Sequence, residues 1–290
     1  MSTPIASTAP YYARYRPPYP AELYELLADR FALDGSQTVL DLGAGPGTLA
    51  LALAPLVDQV YAVDIEPAML AEGCRLAGER GRRNISWLTG DAAYIPRLCL
   101  PRIDLCVIGR AFHRMDRTRV LADLDTALAP RGGVVVITSP AGEDGPRPPW
   151  WAVVEEVCAR FLGPGHGAPS VPGGGAGGAP EGVDDVADVA DVADVDDLDD
   201  EGDADDMYDH LAKSPFSRVE TIAWEQPVRY TVDQLVGLQF SFPRSSPARL
   251  GDRKDAFASE LRRALLDHDP RGGYARTVPV RAALATRPRT

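Results

Sequence analysis

The sequence predicts an α/β protein built on a mostly parallel sheet flanked by helices, and two observations carry that prediction. Short apolar runs alternate with amphipathic segments across residues 38–138, and the first run, T-V-L-D-L, breaks into the three alternating glycines of G-A-G-P-G. Such alternation is the pattern of a parallel sheet with crossover helices. A buried strand that ends in spaced glycines marks a tight loop where backbone approaches a ligand closely.

Taken in order, the chain begins with P-Y-Y-A-R-Y-R-P-P-Y-P over residues 10–20. Prolines disfavour helix and push their predecessors to extended geometry, so an ordered arm, lid or strap is expected here. An amphipathic helix at 21–31 follows. The alternation then reads as strand 38–42, helix 47–55, strand 59–64, helix 67–80, strand 85–89, a short helix 92–98, strand 103–108, helix 116–129 and strand 133–138. Pro67 suits the first turn of its helix, and Gly132-Gly133 supplies the turn into the fifth strand. Beyond a loop, residues 150–162 read as a helix whose Trp150 and Trp151 either line a pocket or anchor the helix to the core.

Residues 163–209 break the pattern: a Gly- and Pro-rich stretch runs into repeated D-V-A and then a nearly unbroken acidic run. Val183, Val186, Val189, Val192, Val195 and Leu198 recur every third residue, and against 3.6 residues per turn that stripe drifts around a helix. Aspartates three apart also repel. A flexible insertion in a solvent loop is expected. After it come a strand at 219–225, a helix at 231–240 with Thr231 as N-cap, an amphipathic helix at 252–268 and a last strand at about 274–285.

The glycine loop limits the ligand. Gly43, Gly45 and Gly47 are followed by Thr48, one residue short of the Gly-x-Gly-x-x-Gly dinucleotide spacing. Asp41, at the strand's end, would repel a pyrophosphate and favours a cationic ligand instead. At this point the chain resembles the class I SAM-dependent methyltransferases. D-L-G-A-G-P-G is similar to that family's first motif, V-Y-A-V-D (60–64) to its second strand, T-G-D-A (89–92) to its third, I-D-L-C-V-I-G-R-A-F-H (103–113) to its fourth strand and loop, and P-R-G-G-V-V-V-I to its fifth. The likeness runs from about residue 10 to 140 in the correct order.

The resemblance implies one Rossmann-like domain over residues 1–290, with a seven-stranded, mostly parallel sheet whose last strand is antiparallel. Its parts would be an N-terminal arm and helix (10–37), a SAM-binding core (38–138), the insertion (163–209), and final strands with a substrate cap (215–290). S-adenosyl-L-methionine is the implied cofactor. Asp64, about 20 residues after the first glycine, would hold the ribose hydroxyls, and Asp91 would face the adenine amine. Tyr11, Tyr15 and Arg16 on the arm, the loop residues Asp41, Gly43, Ala44, Gly45 and Gly47, then Ile65, Ala92 and Arg110 complete the implied cofactor set. His113, beyond the fourth strand, is the candidate general base, since an unperturbed imidazole titrates near neutral pH.

Composition bounds the rest. The 42 acids against 30 bases give a formal charge of −12, yet residues 181–209 hold 15 of the acids and no base, so the remainder is close to neutral. No basic stripe points to nucleic acid. No apolar run reaches the roughly 20 residues of a membrane span, and the N-terminus lacks a signal pattern, so a cytoplasmic protein is expected. Cys74, Cys99, Cys106 and Cys158 form no C-x-x-C pair and no ligand spacing, and two of them in or beside apolar segments read as buried thiols. No metal site is expected. The expected reaction is methyl transfer to an amine or hydroxyl of a small-molecule acceptor, a specialised metabolite such as an aminosugar-containing antibiotic. A SAM-binding protein with a cyclase-like or regulatory role is the alternative, and a nicotinamide oxidoreductase is disfavoured by the glycine spacing.

Overall fold

Alternation along the strands builds two apolar cores, one on each face of a single sheet. A computed structural model describes residues 3–139, 147–163 and 204–288. Among them the strands are β1 (Thr38–Leu42), β2 (Gln59–Asp64), β3 (Ile85–Thr89), β4 (Ile103–Gly109), β5 (Leu128–Thr138), β6 (Arg218–Thr231) and β7 (Gly273–Thr286). They lie in the order β3-β2-β1-β4-β5-β7-β6. Strands β1 to β5 pair in parallel, and β7 runs antiparallel to both of its neighbours. Around the sheet are α1 (Pro4–Tyr15), α2 (Ala21–Arg30), α3 (Thr48–Leu53), α4 (Pro67–Glu79), α5 (Arg117–Ala127), α6 (Trp150–Leu162), α7 (Ala204–Ala212), α8 (Val232–Gln239), α9 (Pro247–Leu250) and α10 (Lys254–His268).

Successive strand residues point to opposite faces. Val39, Leu105, Val107, Val135 and Ile137 therefore pack with Leu23, Leu27, Leu49 and Leu53 of α2 and α3. Leu40, Leu42, Cys106, Ile108, Val134 and Val136 pack with Val120, Leu121 and Leu124 of α5. Both faces are covered, which is why these strands read as apolar runs rather than as alternating ones.

A third cluster joins α6, α8 and α10 to Tyr230 and Tyr274 and forms a cap. Its support is a ribbon: β6 pairs with β7 from Arg218↔Thr286 to Thr231↔Gly273, whereas β5 pairs with β7 only as far as Thr138↔Arg281. The ends of β6 and β7 thus continue past β5. Both strands are longer than the spans expected from the sequence because each completes the other's hydrogen bonds.

Four expectations change. Gly132-Gly133 form no turn but lie within β5, which starts at Leu128 and pairs there with Ile103. Residues 10–20 are not an extended arm throughout: α1 runs from Pro4 to Tyr15 with Pro10 inside it. Thr3 caps it by accepting from the Ala6 N–H, and Thr8 and Ala9 are buried, so packing and a cap offset the hydrogen bond that Pro10 removes. Extended chain is confined to residues 16–20. The expected insertion of 163–209 is too long at its end, since residues 204–209 open α7, where Met207 and Leu211 sit four apart and bury against the α5 face. Residues 164–203, the rest of that expectation, lie outside the described residues. The segment 92–98 is 3-10 rather than α-helical.

Trp150 is an anchor: it is 5% exposed, donates to the Ala275 carbonyl at 3.2 Å and contacts Tyr230 and Tyr274. Cys106 and Cys158 are buried, whereas Cys74 and Cys99 are exposed. Among the described residues no helix is long and apolar enough to cross a membrane.

Candidate cofactor and acceptor site

The glycine loop is held by its own backbone and by the end of β2. The Gly43 and Ala44 N–H groups both donate to the Val63 carbonyl, at 2.8 and 2.9 Å, and Gly45 N–H donates to Asp64 Oδ2 at 2.7 Å. All three glycines have positive φ, of 71°, 54° and 75°. Side chains are excluded for two different reasons. A Cβ on Gly43 would meet Ala111 and Met115, and one on Gly47 would enter the Trp87 ring; one on Gly45 would meet nothing within 4 Å. Gly43 and Gly47 are there for packing, and Gly45 presents bare backbone to open space.

Asp64 stands beside that opening. Its Oδ1 accepts from the Glu66 N–H at 2.9 Å, and burial holds its carboxyl above the ordinary range, with the Glu66 and Gly45 N–H groups opposing. The next residue, Ile65, is 69% exposed, an apolar surface of the kind that lies against a flat ring. Gly90 N–H donates to the Asp64 carbonyl at 3.0 Å, which brings the end of β3 alongside. There Asp91 Oδ1 caps the following turn by accepting from Ala93 N–H at 2.8 Å, and Ala92 is half-buried. Gly43, Ala44, Gly45, Gly47, Asp64, Ile65, Asp91 and Ala92 are therefore brought together at the ends of β1, β2 and β3. A carboxylate for a diol, an exposed aliphatic face and bare backbone fit a nucleoside cofactor.

Asp41 is a correction. The alternation that sends Leu40 and Leu42 to the α5 face sends Asp41 beneath α3, where it is 1% exposed and accepts from the Ala50 N–H at 2.9 Å. Burial, with Asp64 nearby, raises it from 3.8 to about 7. It ties the glycine loop to the helix behind it rather than facing a ligand.

Tyr11, Tyr15 and Arg16 are each in contact with the cap. Tyr11 packs edge-on to Phe240 at 5.2 Å, and the Tyr15 ring fills the space that a side chain at Gly237 would need. Arg16 donates from Nε to Ser241 Oγ at 2.9 Å and lies over Phe242 at 4.0 Å. These partners belong to the cap, so α1 works as its latch. At the other end of α1, Thr3 Oγ1 donates to Glu66 Oε2 at 3.3 Å, which places the helix start over the end of β2.

Beyond β4, Arg110 has φ of 56°, donates from Nε to Ser139 Oγ at 3.2 Å and stacks on Tyr19 at 4.7 Å. His113 sits on the 3-10 turn Phe112–Arg114, its Nε2 accepting from Arg114 Nε at 3.1 Å. It lines a small pocket with Phe112, Arg117, Thr138 and Met207, on the α5 and α7 side.

Sequence reasoning missed Tyr19, Ser139, Gln226, Tyr230 and Arg276. Strand parity on β6 and β7 signals that Gln226, Tyr230 and Arg276 share a face, but not which site that face meets.

Comparison with known proteins adds similarities over part of the chain. Residues 39–132 match the family described as methyltransferase domain. An uncharacterized methyltransferase of Schizosaccharomyces pombe is 29% identical over 159 residues, 54% of this chain and 58% of that protein. An uncharacterized RNA methyltransferase of Lactiplantibacillus plantarum is 32% identical over 88 residues, 30% of this chain and 19% of that protein. The chain thus spans less than two thirds of these relatives. In fold it is similar to the YcgJ protein of Bacillus subtilis, with a TM-score of 0.51 and 17% identity over 92% of this chain and 99% of that one.

Proposed function

We propose that the chain is a class I SAM-dependent methyltransferase that transfers a methyl group to an amine or hydroxyl of a small molecule, a reading supported by the methyltransferase-domain match over residues 39–132. The observation that carries the reading is the junction of Asp64 with Gly45 beside the exposed Ile65. There Asp64 would hold the ribose hydroxyls, Ile65 and Ala92 the adenine faces and Asp91 its amine. The cofactor, when bound, supplies an electrophilic methyl on a sulfonium.

This chain's residues then have to place the acceptor in line and keep water out. The cap supports a small acceptor: α6, α8 and α10 bury an aromatic cluster with Tyr230 and Tyr274 of the β6–β7 ribbon, Tyr11 and Tyr15 of α1 pack on it, and mostly apolar surroundings suit small ligands. Where the acceptor must lose a proton, His113 is the group proposed to take it, and Arg110 to orient an oxygen. A specialised metabolite, an aminosugar-bearing one included, fits this acceptor class. The Lactiplantibacillus plantarum relative's name points to RNA, but it shares only 19% of its length with this chain.

The test has two parts. Calorimetric titration should give binding of S-adenosylhomocysteine and none of NAD; the reverse overturns the reading. Incubation with SAM and a panel of amines and alcohols should release S-adenosylhomocysteine. Cofactor binding with no release from any acceptor would favour a cyclase-like or regulatory role instead.

A further inference from the structure

We propose that Arg276, on the β6–β7 ribbon, anchors an oxyanion of the acceptor, so that the molecule methylated carries a carboxylate or phosphate. This rests on the reading above and narrows its acceptor class. The position follows from register: Arg276 lies opposite Val228 on the ribbon, on the face that also carries Gln226, Tyr230 and Tyr274, beyond the point where β5 stops pairing. That face lies between the α2–α3 core and the cap, where Trp224 and Val280 belong to one cluster and Tyr230 and Tyr274 to the other. Arg276 and Gln226 are the polar residues at the seam.

Two guanidinium groups attend the Trp151 ring, Arg276 at 5.1 Å and Arg147 at 6.0 Å. Arg147 pairs with Glu155 at 2.8 Å. Arg276 is half-buried, and among the described residues it has neither a hydrogen bond nor a carboxylate partner; the Trp151 ring only holds it in place. A partly dry guanidinium without an anion is costly, and a bidentate carboxylate or phosphate is its natural complement. The surroundings add to this. Burial disfavours its charged form, Tyr230 favours it, and Arg110 and Arg147 add to the disfavour, while Arg276, Arg110 and Arg16 in turn act on Tyr230. Arg147 thus shares the Trp151 ring with Arg276, and Arg110 is close enough to act on it. Gln226 Oε1 is buried on the same face without a partner, an acceptor placed for an N–H or O–H of the same molecule. A polycationic scaffold would be repelled here, so an aminosugar acceptor is disfavoured unless it is phosphorylated or acidic.

The test uses the full chain saturated with S-adenosylhomocysteine and titrated with 4-hydroxybenzoate, phenyl phosphate and, as neutral control, 4-hydroxybenzamide. At least one oxyanion should bind about tenfold or more tightly than the amide, the size expected of a charge-assisted pair; which of the two wins separates a carboxylate from a phosphate acceptor. Arg276→Gln should remove that preference, and Arg276→Lys should keep part of it, while both keep S-adenosylhomocysteine affinity within about twofold. Equal binding of the amide, or no oxyanion binding, overturns the proposal. So does a loss of S-adenosylhomocysteine affinity in both variants, which would assign Arg276 to the cofactor. Failure of the wild-type chain to bind S-adenosylhomocysteine would instead overturn the methyltransferase reading.

Discussion

Asp64 reaches back from the end of β2 to accept the N–H of Gly45 at 2.7 Å, so the second strand's carboxylate and the first strand's glycine loop form one unit. The ribose of the cofactor is proposed to meet that unit, and the loop is shaped by it. Asp64→Ala should weaken binding of S-adenosylhomocysteine by about 1–3 kcal/mol through unpaired hydroxyls. Calorimetry checks this, and unchanged affinity would show that another group holds the ribose.

Gly47 makes a purely steric prediction. It has φ of 75° and no room for a Cβ against Trp87. Gly47→Ala should cost about 2–4 kcal/mol from left-handed strain plus overpacking, read as a lower urea midpoint. Gly45→Ala, with φ of 54° and open space, should cost about 1–2 kcal/mol in stability yet impair cofactor binding.

The raised pKa of Asp41 gives stability a pH dependence of defined sign. A group raised from 3.8 to about 7 binds its proton more tightly in the folded chain. Its contribution is complete below 3.8 and is lost as pH rises through about 7, up to about 4 kcal/mol for a shift of that size. Asp41→Asn can still accept from Ala50 N–H, so its advantage over the wild type should grow from pH 4 to pH 7 and then level off. Urea unfolding of the cofactor-free chain measures it. Parallel pH curves would mean that Asp41 is ionised when folded.

Arg16 ties the N-terminal helix to the cap across 225 positions of sequence through Ser241. Arg16→Ala should lower stability by about 1–2 kcal/mol from the lost hydrogen bond and ring contact. It should also speed proteolytic cleavage at residues 16–20, visible by mass spectrometry. An unchanged cleavage rate would show that Arg16 does not hold the latch.

Leu211 tests the end of the acidic stretch. It is fully buried on α7 against the α5 face. Leu211→Ala should cost about 2–5 kcal/mol, the usual range for a core truncation; a cost under 1 kcal/mol would mean that α7 is not part of the core.

Much of this protein was legible in order along the chain because its signals are local. The order of strands and helices from Thr38 to Thr138, the glycine loop, Thr231 as N-cap and the placing of Asp64 and Asp91 at strand ends follow from residue type, period and spacing. Tertiary structure decided what those signals leave open. One-residue parity on β1 put Asp41 under α3 instead of in the cleft, a consequence of which face α3 covers. Packing kept Pro10 inside a helix that its own chemistry disfavours, and burial of Met207 and Leu211 recruited the end of an acidic run into the core. The proposed acceptor wall depends on long-range register: only the pairing of β6 with β7 sets Arg276 and Gln226 on one face, and only a contact across 225 positions ties α1 to the cap. Local propensity fixes elements because it acts over a few residues. Which charges end up facing one another is settled by contacts between residues far apart in sequence.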